Sequence, residues 1–288
     1  MIWLVVDVPY LCHRIFHQTK NLSWEGQATG TIFGFFKTLQ YLQDTLGGDH
    51  IAFCFEGAPL LRKKLYPGYK QRRHSQTLTP EELEERRRLD EQIERLYRDY
   101  LPRIGWQNVF RLVGYESDDL MAVIARDLPE EQEAILITGD LDLLQCLRPH
   151  VSIYLPTQHR MMTLTTFRRE YLIRPGQWAV VKALAGCRTD EVRGIPGIGE
   201  ITALKYIRGE LSPRTKQYQA ILSPEGRAIV RRNRPLVQLP FFNCPPVSLV
   251  EDRINLNGWR EVCGELGMRS LAKSPPGAMR KRYELSQR

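Results

Sequence analysis

The stretch "GYESDDLMAVIA", residues 114–125, places Glu116, Asp118 and Asp119 within four positions and then turns apolar. Acids at a helix start are ordinary, because the helix dipole and free N–H groups favour negative charge there. Ser117 or Asp118 would also serve as a cap. Three carboxylates together repel one another, and a divalent cation relieves that repulsion. Other acids fall in comparable places: Asp7 after "MIWLVV", Glu56 after "IAFCF", and Asp140 and Asp142 in "TGDLD". Oxygen donors without His or Cys select Mg²⁺ or Mn²⁺ over zinc. Glu116 and Asp118 are therefore expected as metal ligands. The Asp119 side chain points roughly 100° further round a helix, so it is expected to support the ligands from behind or to cap.

The elements that must position these acids follow from periodicity. Segments 2–6, 51–55, 109–113, 134–138 and 151–154 are short and rich in β-branched or aromatic residues. Their near-continuous apolarity suits strands covered on both faces. Helical patterns at 32–46, about 80–100, 120–126 and 141–146 alternate with them. Alternation predicts an α/β domain with a mainly parallel sheet flanked by helices. Ligands of such sheets bind beyond the carboxyl ends of the strands, where the acids would converge.

Residues 62–100 have a different character. "TPEELEERRRLDEQIERLYRDYL" is highly charged, with Thr79 as N-cap, Pro80 in the first helical position and Glu82 closing a capping box. Its apolar stripe is thin, so this element is expected to stand partly clear of the core. Beyond residue 175, "PGQWAVVKALAG" reads as a helix, and "GIPGIGEITALKYIRG" (194–209) matches a helix–hairpin–helix. Glycines there let backbone N–H groups approach a phosphate at a helix start. Such contacts are independent of base sequence.

Composition bounds the rest. The 288 residues carry a formal net charge of +8, with basic clusters at 62–73, 86–88, 227–234 and 280–282. No apolar run approaches the ~20 residues of a membrane span, and the short apolar start lacks a basic leader. The six cysteines form no C-x-x-C pair, which argues against a zinc site and for a cytosolic, reducing location. The final residues, 271–288, are expected to be a flexible basic tail.

These residues resemble the flap endonuclease/5′–3′ exonuclease family, which includes the 5′-nuclease domain of bacterial DNA polymerase I and phage 5′ exonucleases. The resemblance covers roughly residues 1–210 and rests on ordered motifs: "VVDVPYLCHR", "TGTIFGFFKTL", "CFEGAPLLRKKLYPGYKQRR", "GYESDDLMAVIA", "ILITGDLDLLQCL" and "LAGCRTDEVRGIPGIGEITA". It implies a PIN-like nuclease domain at 1–174 with a helical arch at about 62–100, and a DNA-binding helix–hairpin–helix (H3TH-type) domain at 175–270. It implies a Mg²⁺-dependent nuclease, with Mn²⁺ as substitute, acting near the 5′ end or flap of DNA at a single-strand/double-strand junction. RNA–DNA hybrid as a substrate, K⁺ at the hairpin, a monomeric state and a cytoplasm, bacterial or phage-infected, complete the expectation. By the same resemblance Asp7, Glu56, Glu116 and Asp118 would surround one ion, and Asp118, Asp140, Asp142 and Asp190 the other. Lys70 and Arg73 would neutralise charge at the reacting phosphate, and Tyr69 would stack on an unpaired base. Arg14 and Asp119 would support the ligands, while Arg62, Gly194, Gly197, Gly199 and Lys205 would contact DNA.

The chain departs from the family pattern at Val8 (usually Gly), Glu56 (Asp), Cys187 (Asp) and Arg193 (Pro). The loss of an acid at Cys187 supports a rival reading, a junction-binding protein with weakened or lost catalysis. A haloacid-dehalogenase-type phosphatase would need a second acid two residues after Asp7, where Pro9 stands.

Overall fold

The computed structural model describes residues 1–48, 50–71 and 78–276. Its main sheet comprises β1 (Ile2–Asp7), β2 (His50–Cys54), β3 (Val109–Phe110), β4 (Glu133–Ile137), β5 (Val151–Leu155) and β6 (Arg160–Met162). The order is β3-β2-β1-β4-β5-β6, parallel throughout except for the β5–β6 pair. Central β1 sets the register, with Leu4 opposite both Ile51 and Ile135.

The helices that bear on the site are α1 (Val8–Thr19), α2 (Gly30–Leu46), α3 (Leu60–Leu65), α4 (Pro80–Arg95), α5 (Ser117–Asp127), α6 (Trp178–Ala185), α7 (Glu200–Ile207) and α8 (Pro224–Val237). Side chains alternate across a strand, and both sets here are apolar. Leu4, Val6, Ile51 and Phe53 pack under α1 and α2 with Leu11, Phe35 and Leu39. Trp3, Val5, Ala52 and Leu136 pack on the other side with Leu120 and Ile124 of α5 and Trp178 of α6. The result is the expected mainly parallel sheet flanked by helices.

All five expected strands form, with altered ends. The edge segment expected over 109–113 pairs only at Val109–Phe110, because the chain then turns: the Gly114 N–H donates to the Gly57 carbonyl, and Val113 is exposed. Helix α1 was not foreseen. Its N-cap is Asp7 itself, the last residue of β1, so no loop separates strand from helix. Strand β6, α8 and a helix at Leu164–Tyr171 were also unforeseen, and residues Leu141–Cys146 form a tighter 3₁₀ helix.

The charged helix α4 starts with the expected capping box at Thr79 and Glu82 and runs on through a π-helical turn at Leu96–Tyr100. It lies closer to the body than its thin stripe suggests. Leu89 and Gln92 are buried, and Gln92 Oε1 accepts the N–H of Thr31 in the first turn of α2.

Residues beyond 175 share a core with the sheet. Ile195, Ile198, Ala203, Leu204 and Ile221 belong to the same apolar cluster as Trp3 and Val5. Trp259 of the helix Leu256–Glu265 packs on Phe36 of α2, so the chain returns to the first layer before residue 270. Leu271, within the expected tail, is buried in a short helix; residues 277–288 lie outside the described residues.

One buried ion pair ties these parts together. Arg62 of α3 is 1% exposed and grips Asp119 through Nη1 (2.6 Å) and Nη2 (2.8 Å). Its Nε donates to the Leu236 carbonyl at the end of α8 (3.0 Å), and its guanidinium lies 4.7 Å from the Phe241 ring. Asp119 in turn accepts the backbone N–H groups of Glu116 and Phe241. The expectation that Arg62 touches DNA is therefore corrected, since its donors are consumed inside the protein. Removing one member of such a pair strands a buried charge, which typically costs about 3–5 kcal/mol. Arg62→Met should lower the urea-unfolding free energy by about that amount; a loss below about 1 kcal/mol would contradict this role for the pair.

Candidate functional site

The acids meet above the carboxyl ends of β1, β2 and β4. Asp7 is nearly buried, with Oδ1 accepting from Tyr10 N (3.2 Å) and Ser117 Oγ (3.3 Å) and Oδ2 from Thr138 Oγ1 (3.0 Å). Glu56 reaches the rim and accepts from Ser117 N (3.4 Å). Glu116 accepts the Tyr69 hydroxyl (2.8 Å) and pairs with Lys70 Nζ. Asp140 accepts the N–H of Asp142 (2.7 Å), opening the 3₁₀ turn. Asp118 Oδ1 is buried and, among the described residues, has no hydrogen-bond partner.

A second group lies against the first. Donor atoms of Asp142, Cys187 and Asp190 fall within 4.8 Å of one another. Cys187 and Asp190 come from a small hairpin, Gly186–Cys187 with Val192–Arg193. Cys187 Sγ sits 3.6 Å from Asp190 and 3.0 Å from Thr189 Oγ1, so the thiol faces the acids. Tyr69 reaches Asp190 at 3.4 Å and Lys70 Nζ lies 3.7 Å from it, while the Asp190 carbonyl accepts the Lys70 N–H (3.0 Å). Both groups therefore share Tyr69 and Lys70.

Crowded, poorly hydrated carboxylates hold protons more tightly. Burial raises Asp7 to about 6, with Asp140 adding to the effect. Burial, then the Asp140 charge, raises Asp142 to about 7. Glu56 rises to about 7 through the desolvation imposed by its neighbours and then the charge of Glu116, although its side chain still reaches water. Asp118 and Asp140 are raised chiefly by burial. Burial also pushes the Cys187 thiol up to about 12, so it stays neutral near pH 7.

The structure sorts the remaining expectations. Lys70 is buried against Glu116, with its backbone in the left-handed region (φ 51°). Tyr69 is 2% exposed and spends its hydroxyl on Glu116, so its ring is not free to stack on a base. Arg73 lies outside the described residues. Arg14 is half-buried with its charge felt by Tyr154, and among the described residues it forms no ion pair with the acids. A Cβ on Gly194 would meet Ala185 backbone at 2.2 Å, so this glycine serves close packing and not phosphate approach. Gly197 (φ 76°) and Gly199 face open space at the start of α7, and Lys205 is exposed.

Sequence reasoning missed Lys182. Its Nζ bridges Asp142 (2.9 Å) and Glu200 (3.0 Å) from an otherwise apolar helix, "WAVVKALA". A lone charge in such a run was the available signal. It also missed the hydroxyls of Ser117 and Thr138, which have no periodic signature.

The donor set fits hard divalent cations: like charges converge, most donors are oxygens, and a buried carboxylate oxygen of Asp118 has no hydrogen-bond partner among the described residues. Fold and site together define a PIN-like, resolvase-type α/β protein with a carboxylate centre. Residues 2–172 match the family described as 5′-3′ exonuclease, N-terminal resolvase-like domain, and the chain belongs to the 5′-3′ exonuclease family. It is 33% identical over 208 residues to the thermostable DNA polymerase I of Thermus aquaticus, covering 71% of this chain but 23% of that protein. It is 30% identical to the 5′-3′ exonuclease of Bacillus subtilis, covering 71% and 69% respectively. The chain thus spans about a quarter of the polymerases it matches. The fold is similar to that of phage T5 5′-exonuclease solved with zinc (TM-score 0.70, 20% identity, 95% and 97% covered). It is also similar to human GEN1 in complex with Holliday junction DNA (TM-score 0.58, 16% identity, 92% and 68% covered).

The raised carboxyls give a signed pH dependence. A group whose folded pKa exceeds its unfolded value stabilises the fold fully below the unfolded pKa, and that stability is lost as pH rises through the folded pKa. For Asp7 and Asp142 the window runs from the unfolded value of about 4 to about 6 and about 7. In EDTA, Tm should fall as pH rises across this window, and Asp118→Asn should reduce the fall. A flat or rising Tm would contradict the crowded-acid geometry.

Proposed function

We propose that the protein is a structure-specific 5′ nuclease that hydrolyses DNA phosphodiesters near a 5′ end or flap at a single-strand/double-strand junction, with Mg²⁺, replaceable by Mn²⁺. The observation that carries this reading is the convergence of Asp7, Glu56, Glu116, Asp118, Asp140, Asp142 and Asp190 beside Lys70, in a chain of this family. Asp7, Glu56, Glu116 and Asp118 would hold one cation, and Asp118, Asp140, Asp142 and Asp190 the other. Bound cations supply an activated water and stabilise the leaving oxygen.

The chain's own groups do the rest. Lys70 offers a preorganised ammonium beside the acids, where phosphate charge would develop. Tyr69 and Ser117 fix the orientations of Glu116 and Asp7. Arg73 is assigned the same neutralising role as Lys70. The α7 start, with Gly197 and Gly199 exposed, would hold duplex phosphate through backbone N–H groups, with K⁺ as a candidate counter-ion and Lys205 nearby. In this reading residues 1–174 carry the chemistry and 175–270 the duplex grip. RNA–DNA hybrid substrates and a monomeric state belong to the same proposal. A junction-binding protein with weak catalysis is kept as a second reading by Cys187, a neutral thiol, and by Lys182, which already neutralises Asp142.

Asp118→Ala should abolish cleavage of a labelled 5′-flap substrate while junction affinity in Ca²⁺ stays within a few-fold of wild type. Turnover near the wild-type level would rule out the assigned site. Wild-type protein that binds the flap but leaves it intact in Mg²⁺ and Mn²⁺ would favour the second reading.

The thiol gives a separate outcome. Cys187→Asp adds a hard oxygen donor where Sγ already faces Asp142 and Asp190. The variant should fold and reach half-maximal cleavage at lower Mg²⁺ than wild type. A folded variant with an unshifted or poorer Mg²⁺ response would show that Cys187 does not weaken the second position.

A further inference from the structure

Helix α7 is short of cations where the proposed duplex grip needs them. Its first turn carries Glu200 and Ile201, and Ile201 is 74% exposed. Backbone N–H groups alone would neutralise few phosphates. Cations appear instead on α8, whose sequence "PEGRAIVRRNRPLV" holds four arginines against one glutamate.

The arginines of α4 and α8 differ in one respect. On α4, Arg87 and Arg88 are matched by Glu84, and Arg87 also by Glu91, one helical turn away. That is the pattern of a self-neutralised surface helix. On α8, Arg227, Arg231 and Arg232 are exposed, and among the described residues no carboxylate pairs with them. At 100° per residue, Arg227 and Arg231 lie within about 40° of each other on the outer face, and Arg232 lies further round.

Arg232 connects this face to the catalytic side. Its guanidinium sits 5.2 Å from the ring centroid of Tyr66, and its Nη2 donates to the Arg193 carbonyl (2.7 Å). Tyr66 is half-buried, and its carbonyl accepts the N–H of Tyr69, whose hydroxyl rests on Glu116. Leu236, one turn beyond Arg232, packs with Tyr69 and Cys187. Contacts therefore run from the acid cluster through Tyr69 and Tyr66 to Arg232 and the Arg193 backbone, and the same helix carries Arg231 beside Arg232 and Arg227 one turn before. Exposed guanidinium groups with no carboxylate partner among the described residues, one of them over an aromatic ring, suit a nucleic-acid backbone.

We propose that Tyr66, Arg193, Arg227, Arg231 and Arg232 form a track for the phosphodiester backbone of the substrate's duplex, taking over the charge that α7 lacks. This rests on the nuclease reading of the acid cluster. Arg232 also holds the hairpin that carries Cys187, so the test uses the outer arginines.

Affinity for a fluorescent 5′-flap junction is measured in Ca²⁺ by anisotropy, between about 50 and 200 mM salt. Each lost phosphate contact lowers the slope of log K against log salt by about 0.9. Arg227→Ala/Arg231→Ala should therefore lower the slope by about 2, and Arg231→Glu should weaken binding more than Arg231→Ala. Arg227→Lys/Arg231→Lys, which keeps the charges, should retain the slope. Arg103→Ala, whose guanidinium is matched by Asp99 and Glu265, should leave the slope unchanged. A folded double-alanine variant with the wild-type slope, or with no larger change than Arg103→Ala, overturns the track and leaves the nuclease reading standing. Wild-type protein without salt-dependent junction affinity overturns both.

Discussion

The arrangement of the site depends on the buried Arg62–Asp119 pair. Asp119 fixes the first turn of α5, because it accepts the N–H of Glu116, and that turn presents Glu116 and Asp118. Arg62 fixes α3, and the chain leaving α3 at Leu65 presents Tyr69 and Lys70 four and five residues later. The pair also reaches the Leu236 carbonyl and the Phe241 N–H. Three stretches far apart in sequence, α3, the start of α5 and residues 236–241, are thus held by two side chains. A planar guanidinium has donors enough to do this in a fixed geometry. A buried ion pair is not in itself a strong source of stability; here its contribution is to position.

The acids above this anchor would be hard to hold without nearby cations. Lys70 pairs with Glu116 and Lys182 with Asp142, so each half of the cluster has one ammonium. Attraction between such groups is strong where water is scarce. Burial nonetheless dominates for Asp7 and Asp142, whose protons are retained to about 6 and about 7. The two halves are not equivalent. The Asp7 side has Lys70, shared with Asp190, while the Asp142 side has its own Lys182 and a neutral thiol in place of an acid. Less negative charge is left on the Asp142 side, a direct consequence of residue choice at Cys187.

Much of this was legible in sequence, for a physical reason. A buried parallel strand is a continuous apolar run, and an acid at its end breaks that run conspicuously. Asp7, Glu56 and Asp140 were visible in this way. Direction was less legible than chemistry. Arg62, Tyr69 and Gly194 have types suited to contacting DNA, yet each faces inward, to Asp119, Glu116 and Ala185. Residue type states what a group can do, and its orientation depends on packing partners from other elements, 57 positions away for Arg62 and Asp119 and 47 for Tyr69 and Glu116. Helix α1 was hidden because Asp7 ends the strand and caps the helix at once. Lys182 was hidden because its partners, Asp142 and Glu200, come from two other elements.

The apolar cluster shared by the two halves has a consequence for geometry. A linker between catalytic and DNA-gripping parts would let their separation vary. Here Ile195, Ile198 and Ala203, around the hairpin and α7, share one apolar cluster with Trp3 and Val5 of the central strand. Lys182 adds a polar tie, from Asp142 among the acids to Glu200 at the first residue of α7. Well-packed interiors deform little, so the start of α7 is held at a set distance from the acids. On the proposed reading, a duplex phosphate held at α7 would be measured against the acid cluster by a rigid body. The position of the cut relative to the junction would then follow from packing, with no need to read base sequence.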